Sequence, residues 1–423
     1  MIDAIVNFFR SKNPELIIQA PSRINLINPL DAVEGDYWMP SVAINGEKNP
    51  LSVFAYFKNT NKQSRVKIYK YEKTNKPQIQ IKNKEEISEN NLFSYKKKFS
   101  TESRLFYASI YRLAKASSTF WKRFKKQNIE IGILTTIPRQ SGLGGSAAII
   151  IALLFGLSKY FGLINKLNII KNDEFPINRD TIAELATKIE DKDLGITAGY
   201  GDRYVISRGG LSFCSYYGKL YHKKLGKEPL AIYDKIDELY NIKNLPIVIC
   251  YSGVLHKSGG VHQRLRKMYL KKDTTLKKNY KKLAELSWKS RFILMKKDWK
   301  GLGNLFKKNT KIMNKVMDYV GFKFGIGLAN NILIEIIEEN AKVNAAKLTG
   351  AGGGGSVFAL TNPTSVSEVK NYWKNSLKKI ISDEDLFKSK FPNYPINIMK
   401  KLNNAKFFNI KIDRKGVRSL GIN

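Results

Sequence analysis

Apolar and polar positions alternate along NIEIGILTTIP (128–138) with the period of two that marks a half-buried strand, and the apolar run IIIALLFGL (149–157) follows. The same alternation in ELIIQAPSRINLI (15–27) predicts a strand feeding a loop, preceded by a short amphipathic N-terminal helix. From Ser52 to about Ser100 the alternation gives way to Lys- and Asn-rich stretches, the pattern of strands joined by solvated hairpins. Helical spacing marks SRLFYASIYRLAKASSTFWKRF (103–124), whose aromatic residues read as core. In TIAELATKIE (181–190) the apolar residues Ile182, Leu185, Ala186 and Ile189 predict a helix with Glu190 in its last turn, followed by a loop, 195–201. YDKIDELY (233–240) reads as a helix and LPIVICYSG (245–253) as a buried strand. Three helices are expected over roughly 279–297, 299–320 and 328–340, a glycine-rich turn into a strand at KLTGAGGGGSVFAL (347–360), a helix over 365–381, and a last strand in FFNIKIDRKGV. The alternation predicts an α+β fold without internal repeats. The 423 residues exceed what one core organises, and the pattern breaks between Gly218 and Glu228, so domains of 1–218 and 219–423 are expected.

The stretch PRQSGLGGSAA (138–148) sits at the strand-to-helix junction, where glycines turn backbone N–H groups inward and a helix dipole favours an anion. A Walker loop needs Lys and then Ser or Thr after its second glycine block, and here Gly145 and Ser146 are followed by alanines. The dinucleotide fingerprint matches formally at Gly142, Gly144 and Ala147, but no Asp or Glu occurs between Ala147 and Asn172 to hold a ribose. A glycine turn that merely caps a buried helix is the plain alternative.

Composition narrows the classes. Lys plus Arg number 73 against 36 Asp plus Glu, a net charge of +37. Because the basic residues are spread through ordinary helices, they read first as a solvated surface, with no specific nucleic acid and no membrane partner expected. Cys214 and Cys250 have no paired spacing, and His222, His256 and His262 form no ligand cluster, which leaves a hard cation held by oxygen as the expected metal. The longest apolar run, 147–157, is far shorter than the roughly 20 residues of a membrane span. With no signal-peptide pattern at the N-terminus, a cytoplasmic location is expected.

The glycine stretch resembles the second motif of the GHMP kinases (galacto-, homoserine, mevalonate and phosphomevalonate kinases), with Gly145 at a position where that family usually has serine. APSRINLINPLD (20–31) resembles the first motif, with Arg23 in its basic slot, and KLTGAGGGGS the third. Asn28, Pro29 and Asp31, with Gly35 after them, replace the more usual Gly-Glu-His and look like the glucuronokinase branch, as do LGITAGYGDR (194–203) and the segment HKSGGVHQRLRKMY (256–269).

The resemblance implies a ribosomal-S5-like N-terminal domain, a ferredoxin-like C-terminal domain, and ATP and Mg²⁺ as cofactors. It places nucleotide on Pro138, Ser141, Gly142, Leu143, Gly144, Gly145, Ser146, Ala147, Gly352 and Gly353, and metal on Ser146 and Glu190. Asp202 would face the acceptor hydroxyl as base or orienter, with Arg23 keeping it ionised. Asn28, Asp31, Gly201, Lys257, His262 and Arg266 would bind a sugar or sugar acid, the cations taking a carboxylate, although a solvated basic face is the competing reading of that last group. A neutral sugar or a mevalonate-type alcohol is the alternative acceptor, and a catalytically idle RNA-binding protein on the same fold is the more distant one.

Overall fold

Strand β1 (Leu16–Asn25) is buried at every position, because it has neighbours on both edges and the helix Gly145–Tyr160 across one face. The computed structural model describes residues 2–33, 38–60, 65–74, 78–88, 91–164, 177–215, 232–255 and 258–421. Gly35 and the expected boundary between Gly218 and Glu228 lie outside them. The remaining strands are β2 (Trp38–Gly46), β3 (Ser52–Asn59), β4 (Val66–Lys73), β5 (Ile79–Ile87), β6 (Ile129–Thr135) and β7 (Leu211–Ser215). They continue with β8 (Ile232–Lys235), β9 (Ile247–Tyr251), β10 (Val343–Thr349), β11 (Ser356–Thr361), β12 (Lys406–Ile412) and β13 (Arg418–Leu420).

Among the described residues these strands join in one sheet, ordered β10-β11-β9-β12-β2-β1-β3-β6-β4-β5, with β13 on β1 and β7 between β2 and β8. The last long strand, β12, pairs with β9 on one edge and β2 on the other, so the chain's end links the strands of its two halves. Two large cores lie on this frame. One gathers β1, β3, β6 and the helix Gly145–Tyr160, and the other the helices Thr274–Lys296, Trp299–Tyr319, Leu328–Glu338 and Val366–Ser382. Trp299–Tyr319 feeds both, with Leu302, Leu305 and Phe306 in the first and Met313, Val316 and Met317 in the second.

The expected α+β architecture is met. Local readings differ where tertiary pairing overrides spacing. YDKIDELY is half strand: β8 pairs with β7, and only Ile236–Leu239 is helical, with the buried Asp237 accepting the Leu211 N–H at 2.8 Å. The helical run after Ser103 breaks at Ser117, whose extended backbone and Oγ cap a second helix, Ser118–Phe124. Within the stretch expected to be strands and hairpins, Leu92–Lys97 is a helix capped by Asn91. The short helices Glu384–Lys390 and Asn397–Leu402 carry too few turns for periodicity to reveal them. Among the described residues no helix is long and apolar enough to cross a membrane.

Candidate functional site

The glycine loop joins β6 to the helix Gly145–Tyr160, as its pattern predicts. Gly142 and Gly144 have φ of 71° and 78°, the left-handed region that favours glycine. A Cβ at Gly142 would come within 2.7 Å of the Thr349 carbonyl, and one at Gly144 within 3.0 Å of Arg23 Cγ, so both glycines also permit close packing. The first intrahelical bond runs from the Ala148 N–H to the Gly144 carbonyl, which leaves the N–H groups of residues 145–147 ahead of it at the positive end of the helix dipole. Ser146 stands exposed in this first turn.

Leu143 and Ala147 turn their side chains into the core, so only their backbone is available to a ligand. The Leu143 carbonyl is held by Ser22 Oγ at 2.7 Å and by the Arg23 N–H at 3.2 Å. Pro138 is half-buried. Ser141 is 2% exposed, and its hydroxyl has no partner among the described residues.

Asp202 lies in the first turn of the helix Gly201–Arg208, not at a loop end. Arg23 Nε donates to its Oδ1 at 2.5 Å, Arg23 Nη2 donates to Oδ2, and Arg23 Nη1 reaches the Gly142 carbonyl. Asn25, given no role by the sequence reading, adds a bond from Nδ2 to Asp202 Oδ1 at 3.1 Å while its own Oδ1 accepts from Ser41 Oγ at 2.8 Å. Burial by itself would raise the Asp202 carboxyl, but the charges of Arg23 and Arg203 and the bonds from Arg23 and Asn25 outweigh it, holding the group well below the usual carboxylate range.

Asp31 behaves in the opposite way. Its Oδ2 accepts the Gly201 N–H at 2.7 Å. Burial, and then the adjacent Asp202 charge, push its carboxyl up to about 6 against the pull of Gly201, Arg203 and Arg23. Two carboxyl groups in one site are thus driven apart by their surroundings.

Glu190 falls in a π-helical turn, Ile189–Asp193, which ends the helix Arg179–Lys188. Its Oε2 is ion-paired with Arg203 Nη2, while Arg203 Nη1 donates to the Gly199 carbonyl at 3.1 Å and lies 3.6 Å from Asp202 Oδ2. No group of three or more His, Cys, Asp or Glu able to hold a metal occurs among the described residues. A Mg²⁺ held mainly by nucleotide phosphates needs only one or two protein oxygens, and the Ser146 hydroxyl and Glu190 carboxylate are of the right chemistry.

The glycine run at 350–355 closes on the 138–148 loop through the Gly142–Thr349 approach, and the Asn25 N–H donates to Thr349 Oγ1 at 3.1 Å. Gly353 commits its N–H to the Ile326 carbonyl at 2.8 Å, and Gly352 packs on the same carbonyl, so both have structural engagements. Asn28 is buried in a left-handed conformation, with its N–H on Asn309 Oδ1 at 2.9 Å. His262 is partly buried on the helix Ser258–Leu270. Arg266, on that helix, is expected to offer a guanidinium to a substrate carboxylate; instead it is buried against Ala32, Asp191 and Ala198. Lys257 lies outside the described residues. Asn25, Arg203 as the partner of Glu190, and Asp191 carry no role in the sequence motifs. Asn25 and Arg203 stand inside the motif strings already singled out, whereas Asp191 has no local signal beyond its neighbour Glu190.

Family models match the chain as GHMP kinases N terminal domain over residues 105–210 and GHMP kinases C terminal over 293–379. It is 28% identical over 256 residues to a probable glucuronokinase 2 of Arabidopsis thaliana, covering 59% of this chain and 62% of the relative. It is 30% identical over 241 residues to glucuronokinase 1 of the same plant, covering 56% and 59%. A mevalonate kinase of Thermococcus sibiricus is 26% identical over 58% of this chain and 63% of its own length. The chain therefore spans about three-fifths of the length of these curated relatives. In fold it is similar to a galactokinase of Lactococcus lactis solved with galactose, at a TM-score of 0.61 and 16% identity over 99% of both chains.

Proposed function

From its membership of the GHMP kinase family, we propose that this chain is an ATP- and Mg²⁺-dependent kinase acting on a sugar hydroxyl, and that its acceptor is a hexuronate phosphorylated at the anomeric position. The observation that carries the reading is the Arg23 side chain, which holds Asp202 with one edge and the Gly142 carbonyl with another nitrogen, joining the acidic group to the phosphate loop.

On this reading the N–H groups of residues 145–147 receive phosphate oxygens at the helix end. Ser146 and Glu190 would hold Mg²⁺, which when bound offsets charge on the β and γ oxygens. Asp202, fixed and ionised by Arg23, orients the acceptor hydroxyl and draws on its proton. As the hydroxyl oxygen bonds to the γ-phosphorus, the bond to the β-phosphate bridge breaks and its electron pair leaves with ADP. Arg23 and Arg203 lower the cost of the negative charge gathered there.

Support for the uronate comes from Asn28, Pro29 and Asp31 in place of Gly-Glu-His, from LGITAGYGDR, and from two relatives named as glucuronokinases. The mevalonate kinase relative keeps a mevalonate-type acceptor as the second reading. ADP release measured with glucuronate, galacturonate, their parent hexoses and mevalonate decides between them. Faster turnover on a uronate is expected. A better rate on galactose or mevalonate would overturn the uronate, and no rate on any acceptor would count against the kinase reading itself.

A further inference from the structure

One guanidinium from the C-terminal half of the chain reaches three segments around the acidic side of the site. Arg266 is 6% exposed on the helix Ser258–Leu270. Its Nε donates to the Ala32 carbonyl at 2.7 Å, Nη1 to Asp191 Oδ1 at 2.5 Å, and Nη2 to the Ala198 carbonyl at 3.2 Å. Two of these contacts stand one residue from a member of the candidate site, and the third stands beside a glycine packed on one. Ala32 follows Asp31, and Asp191 follows Glu190. Ala198 precedes Gly199, whose Cα lies so close to Asp31 that a Cβ there would meet Oδ2 at 2.2 Å.

The three segments are also tied to one another. Asp191 Oδ1 accepts the Ala198 N–H at 3.2 Å, and Asp31 Oδ2 accepts the Gly201 N–H at 2.7 Å, one residue before Asp202. An arginine suits this position because its planar fork donates in several fixed directions at once, which an ammonium cannot reproduce. A buried pair such as Arg266 and Asp191 leaves an uncompensated charge if one partner is removed, so its loss is transmitted to whatever it holds.

We infer that Arg266 is a positioning residue, which sets Asp31, Glu190 and the turn into Asp202 in register and does not itself bind the acceptor carboxylate. The kinetic part of this inference rests on the kinase reading; the structural part does not. Where catalysis depends on near-attack geometry, a displacement of about 1 Å costs on the order of 10²-fold in rate.

The test uses the full chain with Arg266→Ala and Arg266→Lys. Hydrogen exchange at the Ala198 and Gly201 amides should quicken about tenfold or more while the helix Gly145–Tyr160 keeps its protection. Turnover should fall by a factor on the order of 10² on every acceptor that wild type uses, with the uronate-to-hexose ratio unchanged. Unchanged exchange at those amides, or a loss confined to uronates, overturns the inference. Should the wild type phosphorylate no acceptor, the kinase reading fails and the exchange measurement still decides the role of Arg266. Should both arginine variants fail to fold, Asp191→Asn keeps the bonds to Ala32 and Ala198 and should show a smaller rise at the same amides, whose absence overturns the inference.

Discussion

Arg23 and Asp202, 179 residues apart in the chain, meet as a two-pronged ion pair in which Nε donates to Oδ1 at 2.5 Å and Nη2 to Oδ2. Replacing Asp202 by Asn keeps the shape and removes the negative charge that both prongs serve. The variant is expected to bind ATP and to transfer phosphate slower by a factor on the order of 10² or more. Calorimetric nucleotide affinity measured beside single-turnover rate checks this, and equal losses in both would make Asp202 a nucleotide contact.

Ser146 is exposed in the first turn of its helix, so Ser146→Ala removes a hydroxyl without opening the core. Turnover at limiting Mg²⁺ should drop at least tenfold with the melting temperature almost unchanged, by the ordinary behaviour of surface substitutions. A normal rate at limiting Mg²⁺ in the folded variant would overturn the proposal that Ser146 holds the metal.

Asp31 titrates at about 6 in the folded chain against an ordinary 3.8, so between those values the folded state holds the proton more tightly than the unfolded one. Stability contributed by the neutral carboxyl is complete below about pH 4 and lost as pH rises through 6. Asp31→Asn should therefore raise the melting temperature, relative to wild type, more at pH 7 than at pH 4. Melts across that range test it, and a difference independent of pH would mean that Asp31 is not strained when ionised.

Lys347 is fully buried on β10, donating to the Leu348 carbonyl at 2.8 Å, with the ring centres of Phe358 and Phe306 at 5.1 and 5.8 Å. Burial depresses its ammonium from 10.5 to about 7. The unfolded chain binds this proton more tightly, so stability rises with pH between those values and is lost as pH falls toward 7. Lys347→Met is expected to stabilise the protein most at pH 7 and below, with the advantage shrinking toward pH 10. An advantage constant from pH 7 to 10 would show that Lys347 keeps its ordinary affinity for the proton.

The glycine loop was legible because its features are local: glycines, a strand before them and an apolar helix behind. The β1 strand, the buried β9 and the three long helices were legible for the same reason, since each carries its own periodicity. Arg266 was not. Its residue type says only that it is cationic, while its partners Ala32, Asp191 and Ala198 lie in other elements, and their approach is set by packing. Asn25 stood in a recognised string, but its bonds to Ser41 and Asp202 depend on strand pairing and on a distant helix start. YDKIDELY misled because its helical spacing competes with pairing to β7, which the sequence does not display.

β12 fills the gap between β9 and β2, and β13 lies along β1, the strand that carries Arg23. During synthesis on a ribosome, residues 20–31, 138–148 and 347–356 all emerge before residues 406–420 do. Until then β9 has one edge unpaired and β2 lacks a partner on that side over Ile44–Gly46, and such open edges are templates for association with other chains. A growing or truncated polypeptide that holds the whole candidate site is thus at its most exposed to misassembly, and a chaperone that shields strand edges would act in that interval.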